Sequence, residues 1–340
     1  SAGSDVTCAL MADSGSVCWG RSKATHTTDA YATTISSEGN DGEKSALIRD
    51  GRGNLLIAYS NGTGISYAQH NGTAWVSAQI CLASDTCDGS NGIGVAQGGD
   101  GRLHFASYDS ANNELVYTTA MAGVVMESSV PSATDAKYTD IAISSNGTRH
   151  ATYYDTNSRD LMYATFNGAQ WSTPVAVDSE SNNNKKVGDG WMDIELDSAG
   201  NPHIAYYYVN WNVNPDIAYI RYAWHNGTEW NITTLQSITG NGPSRHASLE
   251  LDVNDRAHIS YVDSANKSLR YTHFNGTSWS DTVVIDSMGD FNSIAIDNVG
   301  FPRISYYNDS SYDLELAVWN GAGWLIEVVD SGQTETCNDV

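Results

Sequence analysis

Apolar and polar positions alternate with a period of two through most of the chain, in short runs bounded by Gly, Asn or Pro. Runs such as His203-Ile204-Ala205-Tyr206-Tyr207 are rich in aromatic and β-branched residues, which suits a pleated, half-buried strand. Helical periodicity is absent, so the pattern predicts an all-β chain. The runs also recur as a unit at intervals of roughly 45 to 55 residues, which marks a repeat architecture. Each unit has a first run such as 192–197, a turn at Ser198-Ala199-Gly200-Asn201, a second run at 203–208, a third ending at Asn-Gly and a fourth after Trp. The clearest copies are IELDSAGNPHIAYYYVN (194–210) with YAWHNGTEW (222–230), and LELDVNDRAHISYVDSA (249–265) with YTHFNGTSW (271–279). Asn-Gly at 71–72, 167–168, 226–227, 275–276 and 320–321 is expected to supply a positive-φ pair for a tight hairpin.

Four-stranded antiparallel units of this length, stacked radially so that each buries a face on the next, are the blades of a β-propeller. Six copies have second strands centred on Tyr59, Ser107, Tyr153, Tyr206, Tyr261 and Tyr306. TCALMADSGSVCWG aligns as a first strand, turn and second strand, and YATTISS matches the fourth-strand ending PVAVDS. The expectation is therefore seven blades with an abbreviated first one, and the alternative is a six-bladed ring with an N-terminal extension. Residues 1–340 read as one domain: 1–42 a degenerate blade or closing segment, 43–331 the six repeats, and 332–340 a tail.

Asn-Gly-Thr-x-Trp sits where sialidase-type propeller repeats carry their Asp-box, a Gly-containing turn before a Trp that joins third and fourth strands. The repeat resembles that family over about 290 residues, although it departs from Ser-x-Asp-x-Gly-x-Thr-Trp. CALMADSGSVCWG also resembles one repeat of the RCC1-like propellers. These resemblances imply the fold far more than any activity.

Charge narrows the partners. With 17 Lys plus Arg against 40 Asp plus Glu, the net charge of −23 repels a phosphate backbone, which argues against nucleic acid. No apolar run approaches the ~20 residues of a membrane span, so membrane insertion is not expected. The opening Ser-Ala-Gly-Ser reads as a processed terminus from which any secretion signal has been removed. Cys81 and Cys87 bracket a short loop, and Cys8 and Cys18 flank ADSGSV. They read as disulfides, with Cys337 left over or paired in exchange, and so as a secreted or cell-surface protein.

A residue repeated in every blade is explained by the blade, whereas function in a propeller lies where one blade departs from its siblings. His104, His150, His203 and His258 form one column, and Trp75, Trp171, Trp230, Trp279 and Trp324 another. Both read as packing and hydrogen-bonding positions. Asn-x-Ser/Thr sequons, several of them the hairpin Asn-Gly itself, are explained by turn chemistry at least as well as by glycan attachment.

Uniformity is lost at the rim. The position before the first strand runs Lys44, Gly92, Tyr138, Trp191, His246, Phe291, and the loop after the second strand runs Asn61, Asp109, Asp155, Tyr208, Asp263, Asn308. The longer loop from Tyr208 to Asp216 adds Trp211. Aromatic faces among acids and amides suit sugar recognition. The candidate ligand-binding residues are therefore Tyr138, Trp191, Tyr208, Trp211, His246, Phe291, Asp109, Asp155 and Asp263, facing a carbohydrate or an extracellular protein ligand, with no catalysis.

Three rivals stand beside that reading. Asp140 and Asp193, which share a column continuing as Ser248 and Ser293, supply two carboxylates for a glycan hydrolase, with His246 as a further candidate. A lyase site would join His246 and Tyr208 to Lys185 and Lys186, but the acidic rim repels polyanions. The third rival is a structural or protein-interaction module of a larger surface protein. Sialidase chemistry wants clustered arginines, and only Arg159 and Arg245 fall near the rim. No cofactor is expected. Acid-rich turns such as DSAGN and DVND lack an EF-hand pattern, and the one alternative is Ca2+ in the central channel, where ring symmetry gathers carboxylates.

Overall fold

A computed structural model describes residues 6–10, 16–20, 45–50, 54–60, 64–71, 73–82, 92–109, 112–121, 124–179, 185–188, 190–240, 246–263 and 265–330. It is an all-β propeller of six four-stranded antiparallel blades. Blade 1 comprises Ser45–Arg49, Leu55–Ser60, Gly64–His70 and Trp75–Leu82; blade 2, Ile93–Gln97, Leu103–Asp109, Glu114–Met121 and Val124–Thr134. Blade 3 comprises Ala136–Ile143, Arg149–Asp155, Asp160–Phe166 and Val175–Asp178; blade 4, Asp193–Leu196, Pro202–Asn210, Ile217–His225 and Trp230–Thr239. Blade 5 comprises Ala247–Leu251, Ala257–Asp263, Ser268–His273 and Val283–Asp286; blade 6, Gly289–Ile296, Pro302–Asn308, Asp313–Trp319 and Trp324–Asp330. Blade 4 alone carries a fifth strand, Lys185–Val187, which pairs with Tyr208 to Asn210 beyond the end of the inner strand.

The expected seventh blade gives way to the alternative of six. Before Ser45 the described chain contributes one hairpin, Val6–Leu10 with Ser16–Gly20. No Tyr-x-x-x-Asn-Gly-x-x-Trp segment, which builds the outer half of blades 1, 3, 4 and 5, occurs before Ser45. YATTISS lies outside the described residues. Cys8 and Cys18 are cross-strand partners in that hairpin, while Cys87 and Cys337 and the side chain of Cys81 lie outside the described residues.

Apolar clusters sit between blades, as the radial stack requires. Ile204, Tyr206 and Tyr208 of blade 4 pack with Tyr154 and Leu161 of blade 3, and Tyr207 and Ile220 of blade 4 pack with Leu249 and Tyr261 of blade 5. The repeated columns are the joints of this stack. His104, His150, His203 and His258 each bond through Nδ1 to the hydroxyl of Tyr117, Tyr163, Tyr222 and Tyr271 on the neighbouring strand. Each of these tyrosines meets edge-on the Trp of the next blade: Tyr117–Trp171, Tyr163–Trp230, Tyr222–Trp279 and Tyr271–Trp324, with centroids 4.9 to 5.3 Å apart. Burial lowers His104, His150 and His258 to about 4, so these imidazoles are neutral at pH 7.

The Asn-Gly turns are built differently from the expectation. Gly168, Gly227, Gly276 and Gly321 take positive φ, but their asparagines do not. Instead the Asn Oδ1 accepts the amides two and three residues on, as Asn226 does from Thr228 and Glu229. The side chain stands in for a second left-handed residue by closing an Asx turn.

Candidate functional site at the channel mouth

The innermost strands of all six blades line one central cavity of about 190 Å³. At its mouth stand residues at the start of these strands or just before them. Tyr138 and Phe291 have φ of 54° and 46°, a left-handed conformation unusual for aromatic residues. Each sits where the register shifts, between Lys137 and Asp140 in blade 3 and between Asp290 and Ser293 in blade 6. A bulge re-aims a side chain at a strand end, and here the two bulges bring their rings into one aromatic arc. Tyr138 meets Trp191 edge-on at 5.8 Å, Trp191 stacks on His246 at 6.0 Å and 17°, and His246 lies 4.4 Å from Phe291. The far edge of Trp191 reaches blade 2, where a Cβ on Gly92 would stand 3.5 Å from the indole. His246 Nδ1 lies 3.3 Å from Asp290 Oδ1.

One step down the channel, the facing positions are Ala46, Gly94, Asp140, Asp193, Ser248 and Ser293, as fixed by their pairing with the second strands. Two residues further the ring is Ile48, Ala96, Ala142, Glu195, Glu250 and Ala295. Four carboxylates thus collect in blades 3 to 5, and the described cavity lining contains no Lys or Arg. Their side chains meet solvent through the cavity and are otherwise walled by the inner strands. Burial pushes the Asp140 carboxyl well above the carboxylate range, with the charge of Asp193 adding to it. Burial also raises Asp193, against the pull of the Leu249 amide and the Ser248 hydroxyl. Glu195 is raised well above its usual value by burial and then by Glu250, and Glu250 is raised to about 7 by burial and then by Asp193.

The upper acids have a mechanical task as well. Asp140 Oδ2 accepts the Ile194 amide of blade 4 at 3.1 Å, Asp193 Oδ2 accepts the Leu249 amide of blade 5 at 2.8 Å, and Ser248 Oγ accepts the Ile294 amide of blade 6 at 3.2 Å. The inner strands of blades 3 to 6 are thus latched one to the next. At the blade 2–3 junction Gly94 takes the same place, and a Cβ there would stand 2.8 Å from both Asp140 Cα and Ile141 N.

The remaining sequence candidates are placed elsewhere. Tyr208 is buried in the blade 3–4 core, with the Arg221 guanidinium 3.9 Å above its ring. Trp211 packs on the blade 4–5 core, with Lys186 at 4.6 Å over its ring. Asp109, Asp155 and Asp263 close the second hairpins: Asp109 takes the Asn112 amide, Asp155 the Asn157 amide, and Asp263 the Ala265 amide together with an ion pair to Arg270. Arg245 lies outside the described residues. Glu195 and Glu250 were not singled out from sequence, although the signal was there, since their column elsewhere holds only Ile and Ala. Among the described residues no group of three or more His, Cys, Asp or Glu side chains is arranged to hold a metal ion.

No protein-family model matches the chain, and no curated protein sequence does. Solved structures do match in fold. The SapL1 lectin in complex with alpha methyl fucoside superposes with a TM-score of 0.57 at 12% identity, covering 85% of this chain and 96% of that one. The Aleuria aurantia lectin, bound to alpha-methyl-L-fucoside, gives 0.56 at 13% identity, covering 85% and 96%. A Penicillium chrysogenum alpha-L-arabinanase complexed with arabinobiose gives 0.57 at 12% identity, covering 81% and 92%. At these identities the likeness establishes the propeller fold.

Proposed function

We propose that the chain binds a glycan at the channel mouth without cleaving it. The observation that carries this reading is the arc of Tyr138, Trp191, His246 and Phe291 above a polar cavity. Aromatic faces offer stacking surface to a sugar ring, and the groups below offer partners to its hydroxyls. Propellers of similar fold are solved with a fucoside and with arabinobiose, which supports a carbohydrate as the ligand class.

Cleavage is the weaker reading on geometric grounds. The two carboxyl groups of a glycosidase flank the scissile bond with their oxygens turned to the substrate, whereas Asp140 and Asp193 each spend an oxygen on a backbone amide of the next blade. A secreted or surface location goes with this function. No helix among the described residues is long and apolar enough to cross a membrane.

A glycan array followed by product analysis on each hit tests the proposal. Trp191→Ala is expected to weaken binding by about 2 kcal/mol, roughly thirtyfold, with no reducing ends released by the wild type. Released sugar would shift the reading to an enzyme, and silence across the array would shift it to a protein-interaction module.

A further inference from the structure

We propose that the channel beneath the arc selects a sugar bearing a free amine, its ammonium received by Asp140 and Asp193 with Glu195 and Glu250 behind them. This rests on the glycan-binding reading above and adds the chemical class of the ligand. Trp191 lies two residues before Asp193, where the inner strand of blade 4 begins, and extended chain rises roughly 3.3 Å per residue, so the first carboxylates stand about 7 Å below the arc. That depth matches a ring resting on Trp191 with one substituent pointing down the channel.

His246 apart, every titratable group on the described wall is an acid. From blade 3 the channel receives Asp140, from blade 4 Asp193 and Glu195, and from blade 5 Glu250 and His246, with Asp290 of blade 6 beside His246. Blades 1 and 2 contribute Ser, Ala, Leu, Ile and Val, and no Lys or Arg lines the described wall. Buried carboxylates are costly to ionise, and burial is the first cause that pushes all four upward. An ammonium entering the channel offsets that cost, and the ring faces at the mouth favour the same cation. A uronate, a sialic acid or a sulfated sugar would meet repulsion instead, and an N-acetyl group would bring bulk without charge.

Isothermal titration with a glucosamine tetramer, its fully N-acetylated counterpart and a glucuronate oligomer tests this directly, because the first two share ring and linkage. The amine form is expected to bind at least about tenfold more tightly than the acetylated form, with the uronate undetectable. In Glu195→Gln with Glu250→Gln that preference is expected to fall below about threefold. Each single variant should reduce the preference in part, so the test survives a double variant that does not fold. Equal or tighter binding of the acetylated tetramer overturns the proposal, as does an undiminished preference in the folded variants. If other glycans bind in a Trp191-dependent way and the amine tetramer does not, the amine is wrong and the glycan site stands. If no sugar binds at all, both readings fall.

Discussion

Glu250→Gln removes a channel acid whose carboxyl is pushed up to about 7 from an ordinary 4.5. The folded protein therefore holds this proton more tightly than the unfolded chain. The associated stability is fully present below the unfolded value and is lost as pH rises through about 7, when the wild type must keep an ionised carboxylate in the channel. A difference of about 2.5 units at 1.36 kcal/mol each gives roughly 3 kcal/mol. Contact with cavity water reduces it to about 2–3 kcal/mol. Gln has nearly the same shape and cannot ionise. Urea unfolding at about pH 8.5 should show the variant more stable than wild type by about 2–3 kcal/mol, and at about pH 4.5 the two should agree within about 1 kcal/mol. A wild type as stable as the variant at the alkaline pH, or a gap of the same size at both, would refute the reasoning.

Three further outcomes are expected. His104, His150 and His258, held near 4 by burial, should remain neutral in side-chain nitrogen NMR at about pH 5.5; the stability they lend is complete above about 6.5 and drains away as pH falls toward 4. Charged imidazoles at that pH would contradict their place in the blade joints. Trp171→Ala opens a hole where the indole meets Tyr117 of the preceding blade, and should cost about 3–5 kcal/mol in chemical unfolding. Gly94→Ala drives a methyl against the backbone of blade 3 at 2.8 Å and should cost about 1–3 kcal/mol; an unchanged melting temperature would show that the two strands part more easily than their spacing implies.

The architecture was legible because its causes are local and repeated. The alternation, the Asn-Gly turns and the Trp column each recur in register, so one blade explains the next. The blade number misled at the N-terminus, where TCALM and SVCWG carry a hairpin pattern and pair as one two-stranded hairpin among the described residues. At the site, the column preceding the first strands singled out Tyr138, Trp191, His246 and Phe291, and the structure brings these four together. Asp109, Asp155 and Asp263 shared their polarity with sugar-binding acids, but a turn amide two or three residues away satisfies the same carboxylate. The latching task of Asp140 and Asp193 was hidden because the amides they accept lie some fifty residues away, on a neighbouring blade.

The latches also divide the ring. Asp140, Asp193 and Ser248 tie together blades 3 to 6, while the equivalent positions of blades 1 and 2 hold Ala46 and Gly94, which carry no side-chain acceptor. Breathing of the molecule therefore begins in the first two blades, whose inner-strand amides should exchange with deuterium before those of Ile194, Leu249 and Ile294. The four rings at the mouth all stand on the tied arc of blades, so the circle can loosen on one side while the surface offered to a ligand keeps its shape.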